Sequence, residues 1–202
     1  MTLQSPVPFG TVETVAPTAL RTVLHVGCGG ANPEKVPDAF FPRTLWHELR
    51  LDIDPEVTPD IVASITDMPM VGTGSVDGVW SAHNLEHLAA HEVPLALAEF
   101  LRVLRPGGFL ALTLPDLQQV AALVADGLLE DPAYISLAGP IAPLDMLYGF
   151  RPSIARGNAF MGHRTGFTAK TLAVHLTQAG FSGVDVVRDG KFALWARGVK
   201  PA

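Results

Sequence analysis

Two groups of residues in this sequence have types and spacings suited to chemistry. The first follows "VLHVGCGGANPE", Val23 to Glu34, where an apolar run breaks into Gly27, Cys28, Gly29 and Gly30. Glycines straight after a strand let the backbone come close to a ligand that a Cβ would repel. Asp52 closes a second apolar run 25 residues beyond Gly27. An ionised carboxylate at that distance accepts from both hydroxyls of a ribose, which a neutral side chain does less well. The GxGxxG form that leads into a helix is missing, because Pro33 and Pro37 interrupt the stretch. No helix N-terminus is offered to a pyrophosphate, so a ribose-bearing ligand without phosphates fits better.

The second group is "HNLEH", His83 to His87. This is H-x-x-E-H, the spacing of one zinc peptidase family. On a helix His83 and His87 would share a face one turn apart and present ring nitrogens to zinc. The motif's place, between a predicted strand and a helix start, argues against that reading and for local hydrogen bonding of Glu86 and His87. Further along, "LDMLYGFRPSIARGNAFMGHRTGFT" crowds glycine, arginine and aromatic residues into one irregular stretch. Loops above a rigid sheet tend to carry specificity. His163 is the first candidate there for a general base or acceptor-positioning residue, followed by Tyr148 and Arg151 as hydrogen-bonding and anion-binding groups. The competing reading packs Tyr148 into a lid and leaves Arg151, Arg156 and Arg164 solvated.

The elements that must position these groups are legible as alternating strands and helices. Leu20–Val26 reads as a buried strand, Trp46–Asp52 as a second, "DIVAS" as a short third and "SVDGVWSA" as a fourth. In "EVPLALAEFLRVLRP", Leu97, Phe100, Leu101 and Leu104 recur at helical spacing, and Pro106-Gly107-Gly108 is expected to stop the helix. "FLALTLP" is a fifth strand, and a helix covers Asp116 to about Gly127. The Gly- and Pro-rich segment 131–166 is expected to be irregular, a lid or acceptor-binding insertion. "TAKTLAVHLTQAG" follows as a helix with Thr168 as N-cap and Gly180 as stop, and the last two strands form a hairpin around Asp189-Gly190. This order implies a parallel sheet covered on both faces, with an antiparallel edge. Ligands bind such sheets at the carboxyl ends of the strands, where the strand order reverses.

Bulk properties bound the reading. With 202 residues, 48% apolar and 17% charged, the chain is expected to be a single globular domain spanning 1–202. A net charge of −6 without Lys/Arg clusters argues against a nucleic-acid partner. The opening residues lack a basic stretch followed by an apolar run, so no signal peptide is expected. No apolar run is long enough for a membrane span. The single cysteine, Cys28, excludes an internal disulfide and suits a reducing, cytoplasmic location.

Five stretches in order, "VLHVGCGG", "LRLDIDP", "ITDMPM", "SVDGVWSAHNLEHL" and "EFLRVLRPGGFLALTLPDL", resemble the motifs of class I S-adenosylmethionine-dependent methyltransferases. The resemblance covers Leu20 to Leu114, and the stretch before the last helix more weakly resembles the tail of a group of small methyltransferases. It implies a Rossmann-like three-layer αβα sandwich with a mostly parallel seven-stranded sheet and S-adenosylmethionine as cofactor. The implied cofactor residues are Gly27, Cys28, Gly29, Asp52, Ile53, Asp67, Met68 and His83. Asp52 would hold the ribose, Asp67 would accept from the adenine amine, and Met68 would offer its backbone. The implied activity is methyl transfer to a small-molecule acceptor, with His163 and Tyr148 as catalytic candidates. The alternative is a domain that keeps the fold and only binds the cofactor. His25 stands where the family commonly has an acid, and it receives no role. Some relatives hold a divalent metal on Glu and His at the "HNLEH" position, here His83, Glu86 and His87 with His163. Their first position is typically acidic, His83 departs from this, and no metal residue is assigned.

Overall fold

The computed structural model describes residues 19–202. The stretch on which the signal-peptide expectation rests lies outside the described residues. From the first strand onward the chain runs β1 (Arg21–Val26), β2 (Trp46–Asp52), β3 (Ile61–Val62), β4 (Val76–Ala82), α1 (Val93–Val103), β5 (Leu104–Pro115) and α2 (Leu117–Ala125). It continues through β6 (Tyr134–Ser136), β7 (Gly139–Ile141), α3 (Pro143–Tyr148), α4 (Arg151–Ala155), α5 (Ala169–Gln178), β8 (Ser182–Arg188) and β9 (Ala193–Val199).

Seven strands form one sheet in the order β3-β2-β1-β4-β5-β9-β8. β1 pairs in parallel with β2 on one side and β4 on the other, and β5 continues the parallel set beyond β4. β9 runs antiparallel to both β5 and β8. Strand order reverses between β1 and β4, so their carboxyl ends flank the crevice where ligands of such sheets sit.

Each face of the sheet is covered differently. Helix α1 turns Val93, Ala96, Leu97, Phe100 and Val103 inward at three- and four-residue spacing. They join Leu24, Val26, Leu51, Val79, Leu110, Leu112 and Leu172 of α5 in the larger core. On the opposite face Val23, Val36, Phe41, Trp46, Trp80 and Ala111 form a second cluster. Phe41 stacks on Phe109 at 5.2 Å between centroids and meets Trp46 edge-on at 5.0 Å, arrangements that aromatic rings favour. The cover on this face comes from residues 33–45, whose only helical element is the single turn Pro33–Lys35. Pro33 and Pro37 leave no room for the longer helix that a βαβ crossover usually supplies.

The remaining elements follow the sequence with local differences. α5 starts at the Thr168 cap, which accepts from the Thr171 N–H, and the chain turns at Gly180 with φ +101°. α1 ends at Val103, before Pro106-Gly107-Gly108, and β5 begins at once. Gly108 needs to be glycine, since a Cβ there would stand 2.9 Å from the carbonyl oxygens of Asp77 and Arg105. Segment 131–166 is more ordered than expected, with the β6–β7 hairpin and helices α3 and α4. Asp145 organises it. One carboxylate oxygen accepts from the Ala142 N–H at 2.9 Å at the start of α3, and the other accepts from Arg151 Nε at 2.8 Å at the start of α4. Among the described residues no helix is long and apolar enough to cross a membrane.

Candidate functional site

The glycine turn after β1 and the acid at the end of β2 meet. Gly27 and Gly29 both adopt positive φ, +60° and +57°, a conformation that glycine takes without strain. The Gly29 N–H donates to Asp52 Oδ2 at 2.7 Å, and the Asp54 N–H donates to Oδ1 at 3.0 Å. Two cations hold the turn from outside. Lys35 Nζ donates to the carbonyls of Cys28 and Gly30, both at 2.9 Å, and Arg50 Nη2 donates to Gly29 O at 2.6 Å. The loop is therefore fixed in shape by charge-assisted bonds instead of by a helix.

A cavity of about 330 Å³ opens beside it. Gly27, Asp52 and Ile53 form one wall, Ala63, Ser64 and Ile65 another, and Asn84, His87 and Leu88 a third. Ala159, Phe160, Gly162 and Arg164 close it from the 131–166 segment. Asn84 lies against the glycine turn: a Cβ on Gly27 would stand 2.5 Å from its Nδ2. That buried amide nitrogen has no hydrogen-bond partner among the described residues. A buried donor without a partner is rare in folded proteins.

Several expected cofactor residues stand elsewhere. Cys28 is a buried free thiol whose N–H donates to Leu51 O at 3.2 Å, so it supports the turn from within the core. Asp67 is exposed and Met68 fully buried, and neither lines the cavity. The Met68 N–H donates to Glu99 Oε2 at 2.8 Å, and its carbonyl accepts from Arg102 at 2.9 Å. Ser64 and Ile65, three residues earlier, occupy the wall instead. His83 is likewise absent from the lining. It sits at the end of β4 with φ +50°, exposed, its Nδ1 3.3 Å from Glu86 Oε1.

This placement also removes the peptidase geometry. Only Leu85–His87 forms a turn of helix, and His83 precedes it in a left-handed conformation. The two histidines do not share a helix face.

On the acceptor side, Tyr148 is 65% exposed and does not reach the cavity; its carbonyl accepts from the His163 N–H at 3.1 Å. Arg151 is committed to Asp145 through Nε at 2.8 Å and Nη2 at 3.2 Å, so it is a structural brace and no free anion site. His163 does meet the second group of residues, at Glu86 and His87. Its ring stands edge-on to His87 at 4.9 Å, and Glu86, His87 and His163 each offer a ligand atom within 4.8 Å of the others. Burial holds the His163 imidazole below its ordinary pKa. For Glu86, burial works the other way, but its hydrogen bond to His83 and the charges of His83 and His87 outweigh it and keep the carboxyl below its usual range. The resemblance groups His83, Glu86, His87 and His163; the 159–165 loop carries His163 onto the turn after β4, and His83 stays outside the cluster.

Fold and site together define a class. Residues 24–112, from β1 into β5, match the profile of a family described as a methyltransferase domain. The seven-stranded sheet has the fold of the class I methyltransferases, as the motifs implied. Among solved structures it is similar to the 1,6-didemethyltoxoflavin-N1-methyltransferase of Burkholderia thailandensis, which holds 1,6-didemethyltoxoflavin and S-adenosylhomocysteine. That pair has 18% identity and a TM-score of 0.55, covering 91% of this chain and 72% of that one. It is also similar to a SAM-dependent methyltransferase of Methanosarcina mazei (15% identity, TM-score 0.56, 92% and 95% covered). Human N-acetylserotonin methyltransferase, solved in complex with SAM, is similar over 90% of this chain and 48% of its own (14% identity, TM-score 0.57). At these identities the likeness is one of fold. No functionally curated protein matches the sequence.

Proposed function

We propose that this protein transfers a methyl group from S-adenosylmethionine to a small-molecule acceptor. The observation that carries the reading is the cavity joining Gly27 and Asp52 to the 159–164 loop. Its 330 Å³ lies toward the lower end of the roughly 300–1,000 Å³ usual for small-molecule sites.

The residues present fit the cofactor. Asp52 is 9% exposed and uses one bond on each oxygen to backbone N–H groups, which leaves lone pairs for two ribose hydroxyls. Ile53 and Ile65 supply apolar surface for a base, with Ser64 between the walls as a polar group at its edge. Gly27 and the orphaned Asn84 amide packed against it line the cavity and suit the amino-acid tail. When bound, the cofactor supplies an electrophilic methyl on a sulfonium, already a good leaving group. What the chain must add is alignment of donor and acceptor and exclusion of water, and the loop 159–164 closing over the cavity provides a wall for both.

Calorimetry with S-adenosylmethionine and with S-adenosylhomocysteine tests the reading. One-site binding of both is expected. If neither binds the folded protein, the proposal fails. A screen of small molecules for cofactor-dependent methylation then separates a transferase from a domain that only binds.

A further inference from the structure

We propose that the methyl acceptor is an aromatic carboxylic acid, whose carboxylate pairs with Arg164 and whose ring lies on Phe160 at the wall of the cavity. This acceptor class rests on the methyltransferase reading above and belongs to the same cavity.

Most arginines of the described chain are spent on the fold. Arg50, Arg102, Arg105, Arg151 and Arg188 each place a guanidinium nitrogen within 3.0 Å of a protein oxygen. The Arg164 guanidinium makes no hydrogen bond among the described residues. Its ion partner is Glu92, with Nη1 3.9 Å from Oε2, which is beyond hydrogen-bond reach. That same oxygen accepts from the Ala89 N–H at 2.7 Å. Glu92 is thus committed to the backbone just before α1, and the N–H donors of Arg164 stay open.

The backbone fixes where this cation stands. The Arg164 N–H donates to the Glu86 carbonyl at 2.8 Å, and the Thr165 N–H donates to the same oxygen at 3.2 Å. The root of the side chain is therefore held beside the turn that sets His87 and Leu88 on the cavity wall. Arg164 lines the same cavity with its side chain 64% exposed, so its charge is open to an anion entering from solvent. Gly27 and Asn84, which suit the cofactor's tail, belong to other parts of the lining, whereas Arg164 comes from the loop that closes the cavity. This separation gives the arginine to the acceptor.

The chemistry of the ligand follows from what the wall offers. A planar guanidinium matches a carboxylate through two parallel N–H···O bonds. The negative charge of Glu92 nearby offsets part of the field, so a single negative charge is accommodated and a doubly charged phosphate monoester is disfavoured. Phe160 sets the rest of the ligand. It sits in the turn Ala159–Met161, lines the cavity and is 57% exposed, with no ring partner among the described residues. Leu88 adds apolar surface to the same lining. A flat aromatic body covers such a ring by offset stacking. An acid handle at one point and a ring contact at another orient the acceptor toward the methyl group, which is the alignment that the transfer needs.

The test is calorimetry on full-length protein saturated with S-adenosylhomocysteine, titrated with benzoate, salicylate, anthranilate and cinnamate and with the carboxamide of each. At least one acid is expected to bind about tenfold or more tighter than its amide, because the amide cannot form the charged pair. Arg164→Gln should weaken that acid about tenfold and leave its amide within about threefold. Arg164→Lys should restore part of the preference, since it keeps the charge without the planar fork. Phe160→Ala should weaken acid and amide alike. The Arg164→Gln protein should bind S-adenosylhomocysteine within about threefold of wild type, which shows that it is folded and that Arg164 does not grip the cofactor. A panel with no preferred acid, a preference that survives Arg164→Gln, or a loss of about tenfold in that variant's cofactor affinity overturns the proposal. Cofactor binding without acid preference leaves the methyltransferase reading standing. If wild type does not bind the cofactor, that reading falls and the acceptor class falls with it.

Discussion

The Gly29 N–H and the Asp52 carboxylate are joined by a 2.7 Å hydrogen bond between the ends of two adjacent strands. Parallel pairing of β1 with β2 places Val26 beside Leu51, so the residues that follow each strand emerge together. One carboxylate therefore shapes the glycine turn and faces the cavity that the turn borders. Two properties can be separated by substitution at Asp52.

Asp52→Ala removes both the acceptor for a ribose and the anchor of the turn, whereas Asp52→Asn keeps an acceptor oxygen but loses the charge. Hydrogen bonds to charged groups contribute roughly 1.5–3 kcal/mol each. Calorimetry should show S-adenosylhomocysteine binding weakened on the order of tenfold or more in Asp52→Asn, and further in Asp52→Ala. Unaltered affinity in both would remove Asp52 from the site.

Gly27→Ala meets two obstacles. A side chain at φ +60° costs about 1–2 kcal/mol, and its Cβ would stand 2.5–2.8 Å from three atoms of the Asn84 side chain. A lower melting temperature and weaker cofactor binding are expected together. Adding Asn84→Ala should return part of the lost stability, by relieving the contact, while affinity stays low because the Asn84 amide is gone. No stability recovery in the double variant would show that backbone strain alone is at work.

The adenine edge is expected at Ser64 and Ile65. Asp67→Asn should change cofactor affinity less than about twofold, since Asp67 is exposed and outside the cavity lining. Ser64→Val, which removes a hydroxyl from the wall, should weaken binding severalfold. A large loss with Asp67→Asn and none with Ser64→Val would reverse this placement.

His25 is buried in β1 with Nδ1 2.6 Å from Glu48 Oε1, and its pKa is lowered. Burial is the main cause; the hydrogen bond and charge of Glu48 act upward, and Lys35 and Arg50 add to the lowering. The folded state thus resists a proton that the unfolded chain takes up near pH 6.5. Stability from this residue is complete above that pH and declines as the pH falls below it toward the folded value. The melting temperature of wild type should therefore fall more between pH 7.5 and 5.5 than that of His25→Leu. Equal falls would show that His25 is not linked to folding in this range.

How much of this was legible in the sequence depended on whether the signal was local. Trp46–Asp52 has the bounds expected from its apolar run, and Thr168 and Asp116 cap their helices as their side chains require. The lining at Ser64 and Ile65 has no signal of its own in the sequence, because "ITDMPM" presents a carboxylate three residues along, beyond the turn that joins the Ser64 carbonyl to the Asp67 N–H at 3.0 Å. Arg151 looked like an anion site because its partner Asp145 lies one loop away, and no spacing rule connects them. The meeting of His163 with Glu86 is legible only through the resemblance, which groups the two; no local signal carries it. It depends on backbone bonds between residues 78 and 79 positions apart in sequence, donated to a single carbonyl.

The aromatic layer over the second face has a practical outcome. All three tryptophans of the chain, Trp46, Trp80 and Trp195, lie in or against it. The Trp80 indole N–H donates to the carbonyl of Lys35, the same residue whose ammonium grips the carbonyls of Cys28 and Gly30. A shift of the glycine loop that moves Lys35 should therefore reach an indole, and native emission is expected to gauge occupancy of the cavity with no label attached.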